Sequence, residues 1–147
     1  MKMSTRARYG ARAMAELAAV YPHRSVSVKE LAQNQRLSAK YLEQIMATLK
    51  ASGLVKAERG LHGGYVLCAS PEQVTLYDVV QALEGGPALV ECVAHPDVCP
   101  MHANCSTRDT WVELNDAVTG VLKGTTLKDL AERKAAKNSL ATSAYEI

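Results

Sequence analysis

The sequence predicts a mainly α-helical fold that carries one small β-hairpin. Three observations lead to this prediction: apolar residues recur at helical spacing in several segments, two of these segments are short and adjacent, and two strand patterns follow them across a glycine-rich run. The chain has 147 residues, of which 48% are hydrophobic, and this suits one compact domain with an apolar core. Since the chain contains no Phe and one Trp, we expect an aliphatic core.

The first two helices are predicted from apolar spacing and from the residues that flank them. Residues 4–21 carry apolar side chains three and four positions apart, and Pro22 ends this pattern. Ser27 can cap a short helix over Val28–Gln35, and Glu30 then completes the pattern of a capping box. We therefore expect two amphipathic helices at the start of the chain.

A third helix and the hairpin are predicted to follow directly. Ser38 is the next N-cap candidate, and the helix that it begins, residues 39–51, ends before Gly53. Residues 54–58 and 65–68 have strand patterns, and the glycine-rich loop between them joins them. Two helices with a short turn, followed by such a hairpin, form a winged helix-turn-helix.

The start of the second helix of a helix-turn-helix lies in the major groove of DNA. Hydroxyl, amide, amine and carboxylate groups at this place are able to bond base edges or phosphates. The predicted helix residues are Ser38, Lys40, Tyr41, Glu43 and Gln44. In the loop, Arg59 and His62 are predicted to enter the minor groove or touch phosphate, and Gly60 and Gly63 are predicted to let the backbone approach the DNA closely.

The charge distribution also favours a nucleic-acid partner. Residues 1–64 contain eleven Lys and Arg against four Asp and Glu, whereas residues 65–147 contain six against eleven. A basic half beside an acidic half is typical of a protein that meets a polyanion at one end. No apolar run approaches the roughly 18 residues of a membrane helix, and no secretory signal opens the chain, so we expect a cytoplasmic protein without a membrane partner.

The second half of the chain is predicted to contain three helices and one long loop. A helix over residues 71–83 has Ser70 or Thr75 as its candidate cap, and a loop with two prolines spans residues 91–105. The later segments are a long helix over residues 106–122, a last helix over residues 126–137, and a frayed tail over residues 138–147.

Three cysteines lie close together in the predicted loop, with the spacing Cys92-x6-Cys99-x5-Cys105. Thiolates are soft ligands that suit zinc and iron–sulfur clusters, but zinc sites usually contain closer cysteine pairs, and a C-x-x-C redox pair is absent. Structural disulfides are not expected in the cytoplasm. An iron–sulfur cluster is therefore one hypothesis, and a thiol switch, a zinc site or inert thiols are the alternatives. Cys68 ends a strand pattern and is expected in the core.

Several motifs together resemble the Rrf2 family of bacterial winged-helix repressors, over about residues 1–125. The motifs are Arg8-Tyr9-Gly10, Leu37-Ser38-Ala39-Lys40-Tyr41-Leu42-Glu43-Gln44, Gly53-Leu54-Val55 and Arg59-Gly60-x-x-Gly63-Gly64-Tyr65. The cysteine loop is similar to that of the cluster-bearing members. The resemblance implies a homodimer in which the helix at 106–122 crosses its partner, and a palindrome-like operator on double-stranded DNA. It also implies that an iron–sulfur cluster, 2Fe–2S or 4Fe–4S, on Cys92, Cys99 and Cys105 changes the DNA affinity.

The sequence departs from the family at the fourth cluster ligand. Some cluster-bearing members carry a histidine three residues after the third cysteine, where this chain has Arg108. Others supply an aspartate from the first helix, where this chain has Arg8. The local candidates for the fourth ligand are His102, His95 and Asp109, in that order.

These observations predict a DNA-binding transcription regulator, a repressor by resemblance, rather than an enzyme. The sequence shows no phosphate-binding loop and no nucleophile-and-base arrangement for a thiol oxidoreductase. The alternatives are a winged-helix regulator whose cysteines act without iron, and a protein-interaction module that uses the winged helix for another purpose. The predicted division of the chain is a winged helix-turn-helix domain, a cysteine loop, a dimerisation helix with a C-terminal helix, and a disordered tail: residues 1–83, 84–105, 106–137 and 138–147.

Overall fold

Seven helices and one two-stranded antiparallel hairpin form over residues 2–144, the residues that the structure, a computed structural model, describes; side chains are described as far as residue 141. In chain order the elements are α1 (Thr5–Val20), α2 (Val28–Gln35), α3 (Ala39–Ala51), β1 (Val55–Glu58), β2 (Gly64–Leu67), α4 (Leu76–Glu84), α5 (Glu91–Ala94), α6 (Arg108–Lys123) and α7 (Leu127–Ala144). Two 3-10 turns, Pro96–Val98 and His102–Asn104, lie between α5 and α6. The predicted mainly helical fold with one hairpin is confirmed. None of the helices in the described part of the chain is long and apolar enough to cross a membrane.

The first three helices begin where the sequence predicts, because each has a serine cap. The hydroxyls of Ser4, Ser27 and Ser38 each accept the backbone N–H of the residue three positions later, at 3.0, 3.1 and 3.2 Å. Such caps satisfy N–H groups that have no partner within the helix, and each contributes about 1 kcal/mol. The boundaries of α2 and α3 therefore agree with the prediction.

The capping box predicted at Ser27 is only half formed. The Ser27 hydroxyl accepts from the N–H of Glu30, but the Glu30 carboxylate turns to Arg24 instead of returning to Ser27. The two guanidinium nitrogens donate to the two carboxylate oxygens at 3.0 and 2.7 Å, and such a charged, bidentate pair is stronger than one bond to a neutral N–H. This hydrogen bonding lowers the pKa of the Glu30 carboxyl.

The core is aliphatic, as predicted, and α3 lies at its centre. The buried residues of α3 are Leu42, Ile45, Met46 and Leu49, each with 0% of its surface exposed. Met14 and Leu17 of α1 and Leu127 of α7 belong to the same cluster. Burial of each such side chain stabilises the fold by about 1.5–3 kcal/mol, so the orientation of α3 about its axis is fixed by packing.

The hairpin is joined to the helices through the chain that precedes α2. β1 and β2 pair with Glu58 opposite Gly64, and Tyr65 exchanges two backbone hydrogen bonds of 3.0 and 2.8 Å with Val26. A Cβ atom on Gly64 would lie 2.4 Å from the carbonyl oxygen of Val26, which is too close for any other residue type. Glycine at this position therefore allows the hairpin to pack directly against the backbone of the helical unit.

The prediction that Cys68 lies in the core is wrong. Cys68 is exposed, whereas its neighbour Leu67 is buried. Successive side chains along a strand point to opposite faces, so the burial of Leu67 at the end of β2 turns the next side chain toward solvent. The fourth cysteine is therefore an accessible thiol.

The helix predicted over residues 71–83 begins later, at Leu76. Thr75 is its N-cap rather than Ser70, and a complete capping box forms: the Thr75 hydroxyl accepts from the N–H of Asp78 at 3.2 Å, and the Asp78 carboxylate accepts from the N–H of Thr75 at 2.7 Å. Thr75 also forms an isolated β-bridge with Thr126, which keeps the chain extended before α4.

The segment predicted as a loop, residues 91–105, contains three short helical pieces. The N–H of His95 donates to the carbonyl of Glu91 at 2.8 Å, and the N–H of His102 donates to the carbonyl of Cys99 at 3.0 Å. Pieces of three or four residues span about one helical turn, so apolar spacing along the sequence does not reveal them.

The final helix is longer than predicted, and the prediction of a disordered tail is wrong for residues 138–144. These residues continue α7, while residues 145–147 lie outside the described residues. The segment 127–144 contains five alanines and no Gly or Pro, a composition with high helix propensity. The start of α7 is held on the core by Leu127, which is fully buried.

Candidate DNA interface and cysteine segment

The start of α3 presents the predicted DNA-contacting side chains on the side away from the core. The exposed residues are Ser38, Lys40, Glu43 and Gln44, and Tyr41 is half-buried. Because the apolar residues of α3 are fully buried, its polar residues must face outward. The Ser38 hydroxyl accepts a hydrogen bond as the helix cap and keeps its own O–H for a base or a phosphate.

Tyr41 is held by an aromatic contact that the sequence analysis did not predict. Its ring meets the ring of Tyr9 on α1 edge to face, with 6.2 Å between the ring centroids. The guanidinium groups of Arg8 and Arg12 lie 5.9 and 5.6 Å from the centroid of the Tyr9 ring, within the range of cation–π attraction. Through Tyr9, α3 is therefore in contact with basic residues of α1.

The loop between β1 and β2 forms a short, supported wing. Arg59, Gly60 and His62 are exposed, and Gly63 is half-buried. The N–H of Gly63 donates to the carbonyl of Gly60 at 3.0 Å, and the hydroxyl of Ser25 donates to the carbonyl of His62 at 2.7 Å. These bonds hold the tip of the wing while Arg59 and His62 remain accessible.

The three clustered cysteines are free thiols, and each is half-buried. They occupy one short stretch, with Cys92 in α5, Cys99 after the first 3-10 turn and Cys105 after the second. Their donor chemistry fits an iron–sulfur cluster, since three soft ligands share one segment. No three His, Cys, Asp or Glu side chains within residues 2–144 are gathered as a metal site, so the segment must close further to bring the thiols onto one group.

The candidate fourth ligands differ in their surroundings. Nδ1 of His102 lies 3.0 Å from the carbonyl oxygen of Cys99; when it carries the proton, this bond orients the ring and leaves Nε2 as a donor to metal. His95 and Asp109 are exposed. Nε of Arg108 is buried and has no hydrogen-bond partner in the described part of the chain, so an unused donor stands at the start of α6.

Thr107 links the third cysteine to α6. Its hydroxyl accepts the indole N–H of Trp111 at 3.2 Å and lies 3.4 Å from the sulfur of Cys105. Because the indole occupies one lone pair, the hydroxyl is able to donate its hydrogen to the sulfur. This hydrogen bond, helped by the backbone of Thr107, lowers the pKa of the Cys105 thiol. Thr107 was not predicted from the sequence; its hydroxyl, two positions after a candidate ligand, was the available signal.

The sequence matches a known protein family over most of its length. Residues 3–133 match the family Rrf2, described as an iron-dependent transcriptional regulator. The transcriptional regulator CymR of Bacillus subtilis (strain 168) is 41% identical over 131 residues, which cover 89% of this chain and 90% of CymR. The structure of CymR, described as the global cysteine regulator of B. subtilis, is similar with a TM-score of 0.79 and 40% identity, covering 90% of this chain and 98% of that chain.

Two further solved structures share the architecture. The structure of T. potens IscR has a TM-score of 0.75 and 33% identity, covering 91% of this chain and 88% of that chain. The oxidised form of Staphylococcus aureus CymR has a TM-score of 0.72 and 36% identity, covering 90% of this chain and 97% of that chain. The winged-helix fold and the role of a DNA-binding transcription regulator, rather than of an enzyme, are therefore shared with these proteins.

We expect Cys105 of the metal-free protein to react with iodoacetamide faster at neutral pH when the Thr107 hydroxyl is present than in a Thr107→Val variant. A lowered pKa raises the fraction of thiolate, which is the nucleophile. Thr107→Val removes the hydroxyl at nearly constant side-chain shape. It should move the midpoint of the pH profile of the Cys105 alkylation rate to higher pH. Mass spectrometry of the alkylated peptides measures all three rates at once, and the profile of Cys92 is the internal control. Identical Cys105 profiles in both proteins would contradict the role of Thr107.

Proposed function

Because the chain belongs to the Rrf2 family of transcription regulators, we propose that it is a repressor whose DNA affinity is controlled by an iron–sulfur cluster on Cys92, Cys99 and Cys105. The observation that carries this proposal is that three free, half-buried thiols share one short segment that leads directly into α6. The description of the family as iron-dependent supports iron as the metal. We infer that the protein acts in the cytoplasm, where thiols stay reduced.

In the proposed complex with DNA, the start of α3 lies in the major groove and the wing reaches the adjacent minor groove or phosphates. Gln44 and Glu43 have the side-chain types that bond adenine and cytosine edges, and Lys40 suits guanine or phosphate. Arg59 and the backbone at Gly60 approach the DNA from the wing. The exposure of these residues on α3 and on the wing supports this arrangement.

The cysteine segment, residues 91–105, lies next to the start of α6, so metal binding there is able to affect this helix. α5 packs against α6, and Thr107 contacts both Cys105 and Trp111 at the start of α6. Since a cluster must draw the three thiols together, its binding changes the positions of α5 and of the first turn of α6. α6 packs on α4, and α4 packs on both α1 and α3, so the same movement is able to reach the DNA-binding unit.

Three thiolates leave one position of the cluster to another ligand. We propose His102 for this position, ahead of His95 and Asp109, because a bond from Nδ1 to a backbone carbonyl is the usual way to orient a metal-binding histidine. Arg108 has no role as a ligand in this proposal, and its buried Nε–H is available to donate to a cysteine sulfur. Both 2Fe–2S and 4Fe–4S clusters suit such a ligand set.

We further propose that α6 forms a homodimer. Trp111, Leu114 and Val121 lie at helical spacing on α6 and expose 38, 41 and 69% of their surfaces, while Leu122 is the buried residue of this helix. A stripe of exposed apolar side chains is typical of an interface. A two-fold dimer fits a palindrome-like operator. In this proposal residues 1–83 bind DNA, residues 84–105 hold the cluster, and residues 106–137 supply the dimer helix and the start of α7.

A second candidate function is a thiol-responsive or zinc-dependent regulator that contains no iron. The similarity to B. subtilis CymR, described as a global cysteine regulator, and to S. aureus CymR, solved in an oxidised form, favours a thiol response. The lowered pKa of the Cys105 thiol also favours it, because a thiolate is more readily oxidised than a thiol. Metal analysis of protein purified without oxygen separates iron, zinc and metal-free thiols.

Replacing Arg59 with Ala should weaken binding to a promoter fragment by about 1–3 kcal/mol, because an arginine in a groove contributes this much. Fluorescence anisotropy at one fixed salt concentration measures the affinity. Lys128→Ala removes a positive charge from α7, outside the helix-turn-helix, and should bind DNA like the unmodified protein. If Arg59→Ala also bound like the unmodified protein, the wing would have no part in the interface.

Cys92→Ala, Cys99→Ala and Cys105→Ala should each lose iron or bind it less stably, because each removes one of three thiolate ligands. The measurement is an absorption spectrum with iron and sulfide assays on protein purified without oxygen. Cys68→Ala is the matched control and should keep its iron, since Cys68 lies at the end of the hairpin. Unmodified protein that is free of iron but binds DNA would contradict the cluster and favour the second candidate.

Leu114→Glu should convert the protein from dimer to monomer, because it places a charge within the apolar stripe of α6. Sedimentation velocity should give the mass of two chains for the unmodified protein and of one chain for the variant. Asp116→Asn changes a charge elsewhere on the same helix and should remain a dimer. A Leu114→Glu protein with the mass of two chains would exclude this face as the interface.

A further inference from the structure

A cleft of about 620 Å³ lies between α1, the end of α2 and α7, and contains no residue of the cysteine segment. Its volume is in the range of sites for small molecules. The polar residues that line it are Arg12, Asn34, Gln35, Arg133, Lys134, Lys137 and Asn138. Four of these seven are cationic, and no lining residue is acidic. We name it the α1–α7 cleft.

The carboxylate of Glu16, beside the cleft, already has hydrogen-bond partners. Glu16 has a side chain that is 7% exposed, and its two oxygens accept hydrogen bonds from the side-chain amides of Asn34 and Gln35. Nζ of Lys134 lies 3.5 Å from the same carboxylate. This buried group therefore ties α1, α2 and α7 together and neutralises one lysine, while Arg12, Arg133 and Lys137 keep the cleft positive.

The cleft also has an apolar part, formed by Ala11, Ala15, Leu76 and Leu130. A simple ion such as chloride would use none of this surface. A guanidinium group bonds carboxylates and phosphates with two parallel hydrogen bonds, so the two arginines suit such groups. The combination of separated cations and small apolar side chains fits a short carbon skeleton that carries more than one negative charge.

We propose that the α1–α7 cleft binds a small organic anion with two or more negative charges, a polycarboxylate or a phosphate ester, and that this binding changes the affinity for DNA. The inference goes beyond the proposed cluster, because the ligand needs no cysteine. It gives the regulator a second input, from a small anionic metabolite, that acts on the same DNA-binding helix.

The link to DNA runs through Arg12. Nη2 of Arg12 donates to the carbonyl oxygen of Gln35 at 3.3 Å, and its guanidinium lies over the ring of Tyr9, which in turn packs against Tyr41 on α3. Arg36, next to Gln35, adopts the left-handed conformation that turns the chain toward α3. An anion that binds Arg12 repositions its guanidinium relative to the Gln35 carbonyl and the Tyr9 ring, and so acts on two contacts that lead to the start of α3.

The first experiment measures binding alone. Citrate and glycerol 2-phosphate are titrated by calorimetry into the full-length, metal-free protein, with sodium chloride at equal ionic strength as the blank. We expect saturable binding of at least one probe, and a loss of about tenfold or more in the double variant Arg133→Gln/Lys137→Gln, since one charged hydrogen bond contributes about that factor. Lys128→Gln, on the same helix but outside the cleft, should bind like the unmodified protein. No saturable binding, or equal binding by all three proteins, overturns the proposal.

The second experiment measures DNA affinity of the metal-free protein with and without the bound probe. We expect a change of about fivefold or more in the unmodified protein and none in the double variant. An unchanged affinity in the unmodified protein would overturn the regulatory link. A double variant that binds DNA more weakly without any probe would assign these cations to the DNA backbone and overturn the small-molecule site. Neither result depends on iron, so these experiments test the anion site independently of the cluster proposal.

Discussion

The complete burial of one face of α3 is the constraint on which the DNA-binding surface depends. Four apolar side chains of this helix are fully buried, and turning the helix about its axis would expose them at a cost of several kcal/mol. Ser38, Lys40 and Gln44 consequently have one fixed outward direction. The close contact of Gly64 with the backbone at Val26 fixes the wing to the same unit as α3.

The cysteine segment has the opposite physical character. None of the residues of α5 or of the two 3-10 turns is buried, and these pieces are held by a few local hydrogen bonds. A segment without a fully buried residue rearranges at lower cost than a packed core, and closure around a metal group requires such a rearrangement. Thr107 lies between the cysteine segment and α6. Its hydroxyl contacts the sulfur of Cys105 on one side and the indole of Trp111 on the other. The cysteine segment and the helix-turn-helix thus differ in how deeply their residues are buried, and α6 contacts both α5 and α4.

The sequence predicted those features that depend on neighbouring residues. Serine caps and apolar spacing gave α2 and α3 their correct bounds, and the spacing of the three cysteines singled out their segment. The start of α4 was predicted too early, although Thr75 was one of its two candidate caps, because the bridge from Thr75 to Thr126 joins distant parts of the chain.

The candidate site shows the same limit. The exposure of the predicted DNA-contacting residues followed from helical periodicity on α3, but the contact of Tyr9 with Tyr41 did not, since it forms between two helices that are far apart in sequence. The α1–α7 cleft was invisible for the same reason: Arg12 and Arg133 belong to opposite ends of the chain and meet only in the folded protein. Spacing along the chain therefore locates local chemistry, while sites built from distant segments need the structure.

The central claim, that metal on the cysteine segment controls DNA binding, is tested most directly by comparing one protein in two states. The affinity for a single promoter fragment is measured without oxygen for iron-loaded protein and for the same protein after chelation, with Cys99→Ala treated identically. We predict that the two states differ by about 5- to 150-fold, the usual range for coupling between two sites, and that Cys99→Ala shows no difference. Equal affinities in the two states of the unmodified protein would contradict the account.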